Sequence, residues 1–112
     1  MIFTASHESY ADEVINYLDP KREYVQHRLY RRNCEYIDEG YYVKDLRILG
    51  RDLSKTVLID NAAYSYCFQI ENGIPILPYY EGKNDYELNA LKNYLMNLNG
   101  DVRVANRKMF KL

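Results

Sequence analysis

The sequence predicts an α/β domain whose largely parallel sheet is flanked by helices. Three observations carry this. Val57-Leu58-Ile59 is an unbroken aliphatic run, the pattern of a strand covered on both faces as in a parallel sheet. Tyr10, Ala11, Val14, Ile15 and Leu18 recur at helical spacing. Strand-like and helix-like segments then alternate along the chain. At 112 residues the chain fits one domain, spanning 1–112. A hydrophobic content of 47% supports a modest core rather than disorder.

Ile2-Phe3 reads as the end of a buried strand, and Thr4-Ala5-Ser6 as the turn after it. Ser6 is a candidate N-cap, with Glu8 in the first turn of an amphipathic helix over 7–18. Asp19-Pro20 stops that helix. Residues 25–43 change character: Val25, His27, Leu29 and Arg31 alternate with other residues, and Cys34, Tyr36, Ile37, a Gly40 turn and Tyr41-Tyr42-Val43 follow. Short strands joined by turns are predicted there. Asp45 to Leu53, with Leu46, Leu49 and Leu53, reads as a short helix or helical turn. Thr56 to Asp60 is the doubly covered strand, and Gly73-Ile74-Pro75-Ile76-Leu77 is another whose proline suggests an edge or an end. Asn84 is placed to cap the next helix with Glu87 reaching back. Leu88, Leu91, Leu95 and Leu98 form its buried stripe and Gly100 lies past its end. Residues 101–112 read as a short helix packed by Val102, Val104, Met109 and Phe110, with a charged-partner patch as the alternative.

Composition excludes several functions. A net charge of -1 argues against a nucleic-acid-binding domain while leaving room for a small anionic substrate at a local positive site. The start of the chain is not a signal peptide, and no segment reaches membrane-spanning length. Cys34 and Cys67 fit buried or half-buried thiols of a reducing compartment better than a disulfide or a metal site. The 13 tyrosines are expected mostly at the core boundary. His7 and His27 are not expected in a metal or base role, and Ser6 and Ser9 lack a His/Asp arrangement. Gly50 to Lys55 has the wrong spacing for a phosphate-cradling loop.

In parallel sheets ligands bind at the carboxyl ends of strands. Thr4 and Asp60-Asn61 stand at two such ends. A hydroxyl at a helix start can bond a phosphoryl oxygen, and a carboxylate at a strand end can hold magnesium. Lys44 can supply a point charge to the same phosphate. Each has a plainer reading: Thr4 as a helix cap, Asp60-Asn61 as a turn, Lys44 as a solvated lysine, and Arg28, Arg31 and Arg32 as an exposed strand side.

Together these segments resemble the small CTD phosphatases of the haloacid dehalogenase superfamily. The likeness is carried in order by Ile2-Phe3-Thr4-Ala5-Ser6, Tyr10-Ala11-Asp12, His27-Arg28-Leu29-Tyr30-Arg31 with Cys34, Tyr42-Val43-Lys44-Asp45-Leu46, Leu49-Gly50-Arg51-Asp52-Leu53, Val57-Leu58-Ile59-Asp60-Asn61, Asn72-Gly73-Ile74-Pro75-Ile76 and Asn84-Asp85-Tyr86-Glu87-Leu88. The tail from Asp101 to Leu112 resembles the CTD-small-phosphatase-like branch. The resemblance implies a partial Rossmann-like haloacid dehalogenase fold. It also implies a Mg²⁺-dependent serine/threonine phosphatase acting on phosphorylated proteins or peptides through an aspartyl-phosphate, inside the cell, in nucleus or cytoplasm. Thr4 would bond the phosphoryl group, Lys44 would neutralise it and orient the nucleophile, Asp60 would ligate Mg²⁺ with Asn61 in support, and Arg31 and Tyr10 would line the peptide approach.

One feature departs from the family pattern. Its Asp-x-Asp-x-Thr motif, which supplies the nucleophile on a central strand, occurs nowhere in these residues. The expectation is therefore a domain missing its central nucleophile strand and inactive alone, able to recruit a strand from a second copy by domain swapping. The alternative is a non-catalytic protein-binding module, like the related domain of the mitochondrial inner-membrane translocase receptor.

Overall fold

The computed structural model describes residues 1–38, 40–82 and 84–112. They form two compact units, Met1–Lys44 and Asp45–Leu112. The fold is mixed α/β, with short parallel strand pairs and helices, consistent with a partial haloacid dehalogenase-like fold.

In the first unit, β1 (Ile2–Phe3) runs parallel to β2 (Arg28–Leu29), with Ile2 opposite Arg28 and Phe3 opposite Leu29. Parallel neighbours need a crossover of a dozen residues or more, and α1 (Glu8–Leu18) supplies it. Ile2 N donates to His27 O at 3.0 Å and Thr4 N to Leu29 O at 2.9 Å, so both flanks of the pair are fixed. The expected helix is present, but its cap is His7, without a side-chain bond, rather than Ser6. The Ser6 N–H instead donates to Thr4 Oγ1 at 3.0 Å, forming a local hydroxyl turn before the helix begins. Of the predicted stripe, Ala11 and Ile15 are buried against Tyr30 and Val25, while Tyr10, Val14 and Leu18 are exposed. Asp19 ends the helix and accepts from the backbone N–H groups of Glu23, Tyr24 and Val25 at 2.9–3.1 Å. The Val25 N–H leads those bonds in holding the Asp19 carboxyl below its usual range.

A polar cluster ties α1 to β2. Tyr30 Oη and Arg28 Nη1 both donate to Asp12 Oδ1, at 2.6 and 3.0 Å, and Arg28 Nη2 donates to Asn16. The Tyr30 bond and then the Arg28 bond depress the Asp12 carboxyl, and the same bond raises Tyr30. Arg28 is thus a structural arginine, its side chain only 10% exposed, and not part of an exposed strand side. The predicted short strands follow as an antiparallel hairpin, β3 (Glu35–Ile37) and β4 (Tyr41–Val43), with the Tyr36 and Tyr42 rings paired across it at 5.1 Å. Gly40 takes φ 85 in the turn, where a side chain would be strained.

In the second unit, the predicted helical turn resolves into two 3₁₀ turns, Leu46–Leu49 and Leu53–Lys55. Strand β5 (Leu58–Asp60) then pairs in parallel with β6 (Gly73–Pro75). The expectation that β5 is covered on both faces is corrected: Leu58 is buried, but Ile59 is 36% exposed. The crossover is the 3₁₀ segment Ala63–Asn72, broken by non-helical backbone at Tyr66 and Gln69. Periodicity gives no signal for such a kinked segment.

Asn72 locks the crossover by donating through Nδ2 to Leu53 O at 2.7 Å and Thr56 O at 2.8 Å. Tyr66 lies flat over Gly73, where a Cβ would sit 2.1 Å from the ring. Replacing Gly73 by alanine is therefore expected to destabilise the fold by about 1–3 kcal/mol, because ring or strand must move. Urea unfolding of the two proteins checks this, and an unchanged midpoint would show that Tyr66 simply rotates away.

Helix α2 (Glu87–Met96) starts later than predicted. Asp85, not Asn84, accepts the Glu87 N–H, at 2.9 Å, and no Asn84 capping box forms. Leu88 is exposed, while Leu91, Leu95 and Leu98 are half-buried. Helix α3 (Val102–Phe110) is capped by Asp101, and its buried face is Val102 and Asn106 rather than the whole apolar set: Val104 and Met109 are exposed. Its arginines pair internally, Arg103 with Asp101 and Arg107 with Glu71, so the helix does not present them as a charged-partner patch. Cys34 is half-buried as expected, but Cys67 is exposed, because it faces outward from the 3₁₀ crossover. No helix among the described residues is long and apolar enough to cross a membrane.

Candidate functional site

Thr4, Arg31, Asp60 and Asn61 stand at or just beyond the ends of parallel strands, where such a sheet releases its chain. Thr4 follows β1. Its hydroxyl oxygen accepts from Ser6 N, which leaves the hydroxyl proton to donate to a ligand oxygen. Arg31 follows β2 by two residues, in the 3₁₀ turn Arg31–Asn33. Because β1 and β2 are parallel, both ends emerge on one side, and the loops meet there. Arg31 Nε donates to Ala5 O at 2.6 Å, and Arg31 N donates to Ser6 O at 3.1 Å. The fold therefore brings Arg31 onto the loop that carries Thr4. Tyr10 lies on α1 and is 64% exposed.

The guanidinium of Arg31 is held on three sides. Nη1 donates to His7 Nε2 at 2.9 Å, Nε holds Ala5 O, and the Tyr42 ring lies 4.8 Å beneath. Arg32 pairs with Glu8 and stacks on Tyr30 at 5.0 Å. His7, Glu8, Tyr30, Arg31 and Arg32 enclose a cavity of about 190 Å³. The family resemblance implies a role for Arg31 and gives none to His7 or Arg32. The aromatic residues that frame the cavity, Tyr30 and Tyr42, are spread along the chain and leave no local pattern.

Lys44 directly follows β4 and is buried, not solvated, with 8% of its surface exposed. Asp45, the next residue, is fixed from several directions. It caps the 3₁₀ turn through Arg47 N at 3.0 Å, takes a two-pronged pair from the Arg47 guanidinium, and accepts from Gln69 Nε2 at 2.8 Å. Gln69 Oε1 in turn accepts from Leu46 N at 2.9 Å. The chain immediately after Lys44 is thus pinned by Gln69, 24 positions from Asp45 and 23 from Leu46. Arg47, and after it Gln69, hold the Asp45 carboxyl far below its ordinary value of 3.8.

A depressed carboxyl stabilises the fold above its unfolded value and loses that contribution as pH falls through the folded one. Stability is expected to be level near neutrality and to decline on acidification below pH ~4. Urea midpoints taken from pH 7 to pH 2 check this, with Asp45→Asn showing a shallower decline.

Asp60 ends β5 and is half-buried, with Oδ1 accepting from Ala62 N at 2.9 Å; Asn61 is exposed. Burial, and then the Asp60 charge, raise the nearby Tyr66 phenol. Among the described residues no three His, Cys, Asp or Glu side chains group as metal ligands. Magnesium needs fewer, since it keeps several waters and takes one or two carboxylates with substrate oxygens. The hard oxygens of Asp60 and Asn61 fit that part of a shell.

A family model described as NLI interacting factor-like phosphatase matches residues 1–105. The chain is 48% identical over 114 residues to CTD small phosphatase-like protein 2 of Dictyostelium discoideum, covering 100% of this chain and 20% of that protein. It is 44% identical over 115 residues to CTD small phosphatase-like protein 3 of Caenorhabditis elegans, again over 100% of this chain and 40% of that one. It is 43% identical over 88 residues to the Homo sapiens carboxy-terminal domain RNA polymerase II polypeptide A small phosphatase 2, covering 79% of this chain and 32% of that protein. The chain thus spans between 20% and 40% of the length of these relatives.

Proposed function

The chain belongs to the family of NLI interacting factor-like phosphatases, and from that premise we propose that it is part of a protein serine/threonine phosphatase that works with Mg²⁺ through an aspartyl-phosphate. The supporting observation is the β1 end, where the Thr4 hydroxyl keeps a proton to donate and the Thr4 loop is gripped by Arg31.

In this reading Thr4 donates to a phosphoryl oxygen of a phosphoserine or phosphothreonine in a protein. Lys44 adds a fixed positive charge to the phosphoryl group. Arg31 and the exposed Tyr10 guide the peptide. Asp60, with Asn61, would hold Mg²⁺, which neutralises charge in phosphoryl transfer. Pre-placed charge of this kind is the main contribution a protein makes to phosphoryl transfer.

The 112 residues contain no Asp-x-Asp. The nucleophile is therefore assigned to residues outside them, and the chain alone is expected to be inactive. The test is hydrolysis of p-nitrophenyl phosphate by this chain and by a version extended upstream. Activity in the extended form alone supports the proposal, and activity in the 112 residues alone refutes the external nucleophile.

The second reading is a non-catalytic protein-binding module, which the lack of Asp-x-Asp in these 112 residues equally fits. An extended form that binds a phosphopeptide without hydrolysing it would establish that reading.

A further inference from the structure

The cavity between α1 and the Arg31–Asn33 turn holds more positive charge than one phosphate ligand requires. Arg31 and Arg32 both face it, and each guanidinium lies on a tyrosine ring, Tyr42 and Tyr30 respectively. Stacking fixes the planes and leaves the edges to bond. Among the described residues, the second terminal nitrogen of Arg31 and that of Arg32 donate no hydrogen bond. Among the described residues that line the cavity, Glu8 alone is acidic, and its pair with Arg32 is half exposed or more on both sides, at 50% and 63%, so an incoming anion can exchange with it readily. His7 accepts from Arg31 through Nε2, so its other ring nitrogen carries the proton and is a further donor. The site lies directly beside the Thr4 loop, through the bond from Arg31 to Ala5 O.

We propose that this cavity is an anion subsite for a neighbouring side chain of the substrate, so that the enzyme favours phosphorylated residues flanked by an acidic or second phosphorylated residue. The shared chemistry is a planar or tetrahedral group of anionic oxygens met by the edges of two stacked guanidiniums. Its volume of about 190 Å³ admits either group with water. This assignment rests on the phosphatase reading for its consequence, but not for its binding.

Two experiments test it. In the shortest form of the protein that hydrolyses p-nitrophenyl phosphate, kcat/KM is measured on phosphoserine peptides flanked on either side by alanine, glutamate or a second phosphoserine. The acidic peptides are expected to be favoured about fivefold, the scale of partly exposed ion pairs. The ratio should fall to about one in Arg32→Ala and below one in Arg32→Glu. Using a ratio removes any general loss of activity from the comparison. A preference for glutamate assigns a carboxylate, and a preference for the doubly phosphorylated peptide alone assigns a phosphoryl group. Equal rates in the unmodified protein, or a ratio that survives Arg32→Ala, would overturn the subsite.

The second experiment titrates the 112-residue chain with an unphosphorylated glutamate-rich peptide and a neutral control, following the arginine Nε–H signals by NMR. Shifts at Arg31 and Arg32 with the acidic peptide only support the subsite, and no shift overturns it. Failure of every form to hydrolyse any peptide would remove the phosphatase reading while this titration still decides the cavity.

Discussion

Replacing Lys44 by methionine is expected to lower kcat of the active, upstream-extended protein by about 100- to 1,000-fold, the usual cost of removing one pre-placed charge from a reacting centre. Methionine keeps most of the aliphatic stem, which matters because Lys44 is only 8% exposed. The chain on either side is fixed, by fully buried Val43 before it and by the Asp45 knot after it, so the change should act on chemistry more than on structure. Lys44→Arg is not expected to rescue the rate, since a planar fork does not replace a compact ammonium in a closed space. Steady-state rates on p-nitrophenyl phosphate, with circular dichroism to confirm folding, check the prediction. A Lys44→Met protein with a near-normal kcat would remove Lys44 from the mechanism.

The largest effect on stability is expected at Asn106, far in sequence from any proposed catalytic group. Its side chain is fully buried on α3. Oδ1 accepts from Tyr94 Oη at 2.7 Å, and Nδ2 donates to Glu71 O at 2.9 Å. One amide therefore joins α2, α3 and the end of the 3₁₀ crossover. Asn106→Leu matches the size but strands a hydroxyl and a carbonyl without partners. A loss of about 2–4 kcal/mol is expected, from two unsatisfied groups at the usual penalty. Asn106→Asp keeps the acceptor for Tyr94 but turns a carboxyl oxygen toward the Glu71 carbonyl in a fully buried place, so it too is expected to destabilise. Urea unfolding of the three proteins gives the comparison. A leucine variant as stable as the original would mean that both partners find other bonds or water.

These two residues show which parts of the molecule were legible in the sequence. The places of Thr4, Lys44 and Asp60 at or beside strand ends could be read because a strand end followed by a polar residue is a local pattern, and β1, β5 and β6 announce themselves by apolar runs. Asn106 and Gln69 could not. Each works through bonds to residues 35 or 23 positions away, and nothing in their neighbours distinguishes them from surface amides. The same limit explains the misplaced caps. Ser6 and Asn84 are good capping residues by type, but the chain enters α1 one residue later and α2 two residues later than those residues require. The crossover over Ala63–Asn72 escaped because its two non-helical residues break any repeat. Ile59 was read as covered because an aliphatic run records what a strand tolerates, not what lies on each face.

The two Asp-x-Arg tripeptides, Asp45-Leu46-Arg47 and Asp101-Val102-Arg103, close in the same way. The arginine at the third position offers its backbone N–H and its guanidinium to the aspartate at the first. With Arg28 on Asp12, Arg32 on Glu8 and Arg107 on Glu71, five guanidiniums among the described residues are already matched to carboxylates of their own chain. Seen from a Debye length away, such couples nearly cancel. These couples therefore do little to draw a charged partner in from a distance. Removing one couple whole should leave the salt dependence of encounter nearly unchanged.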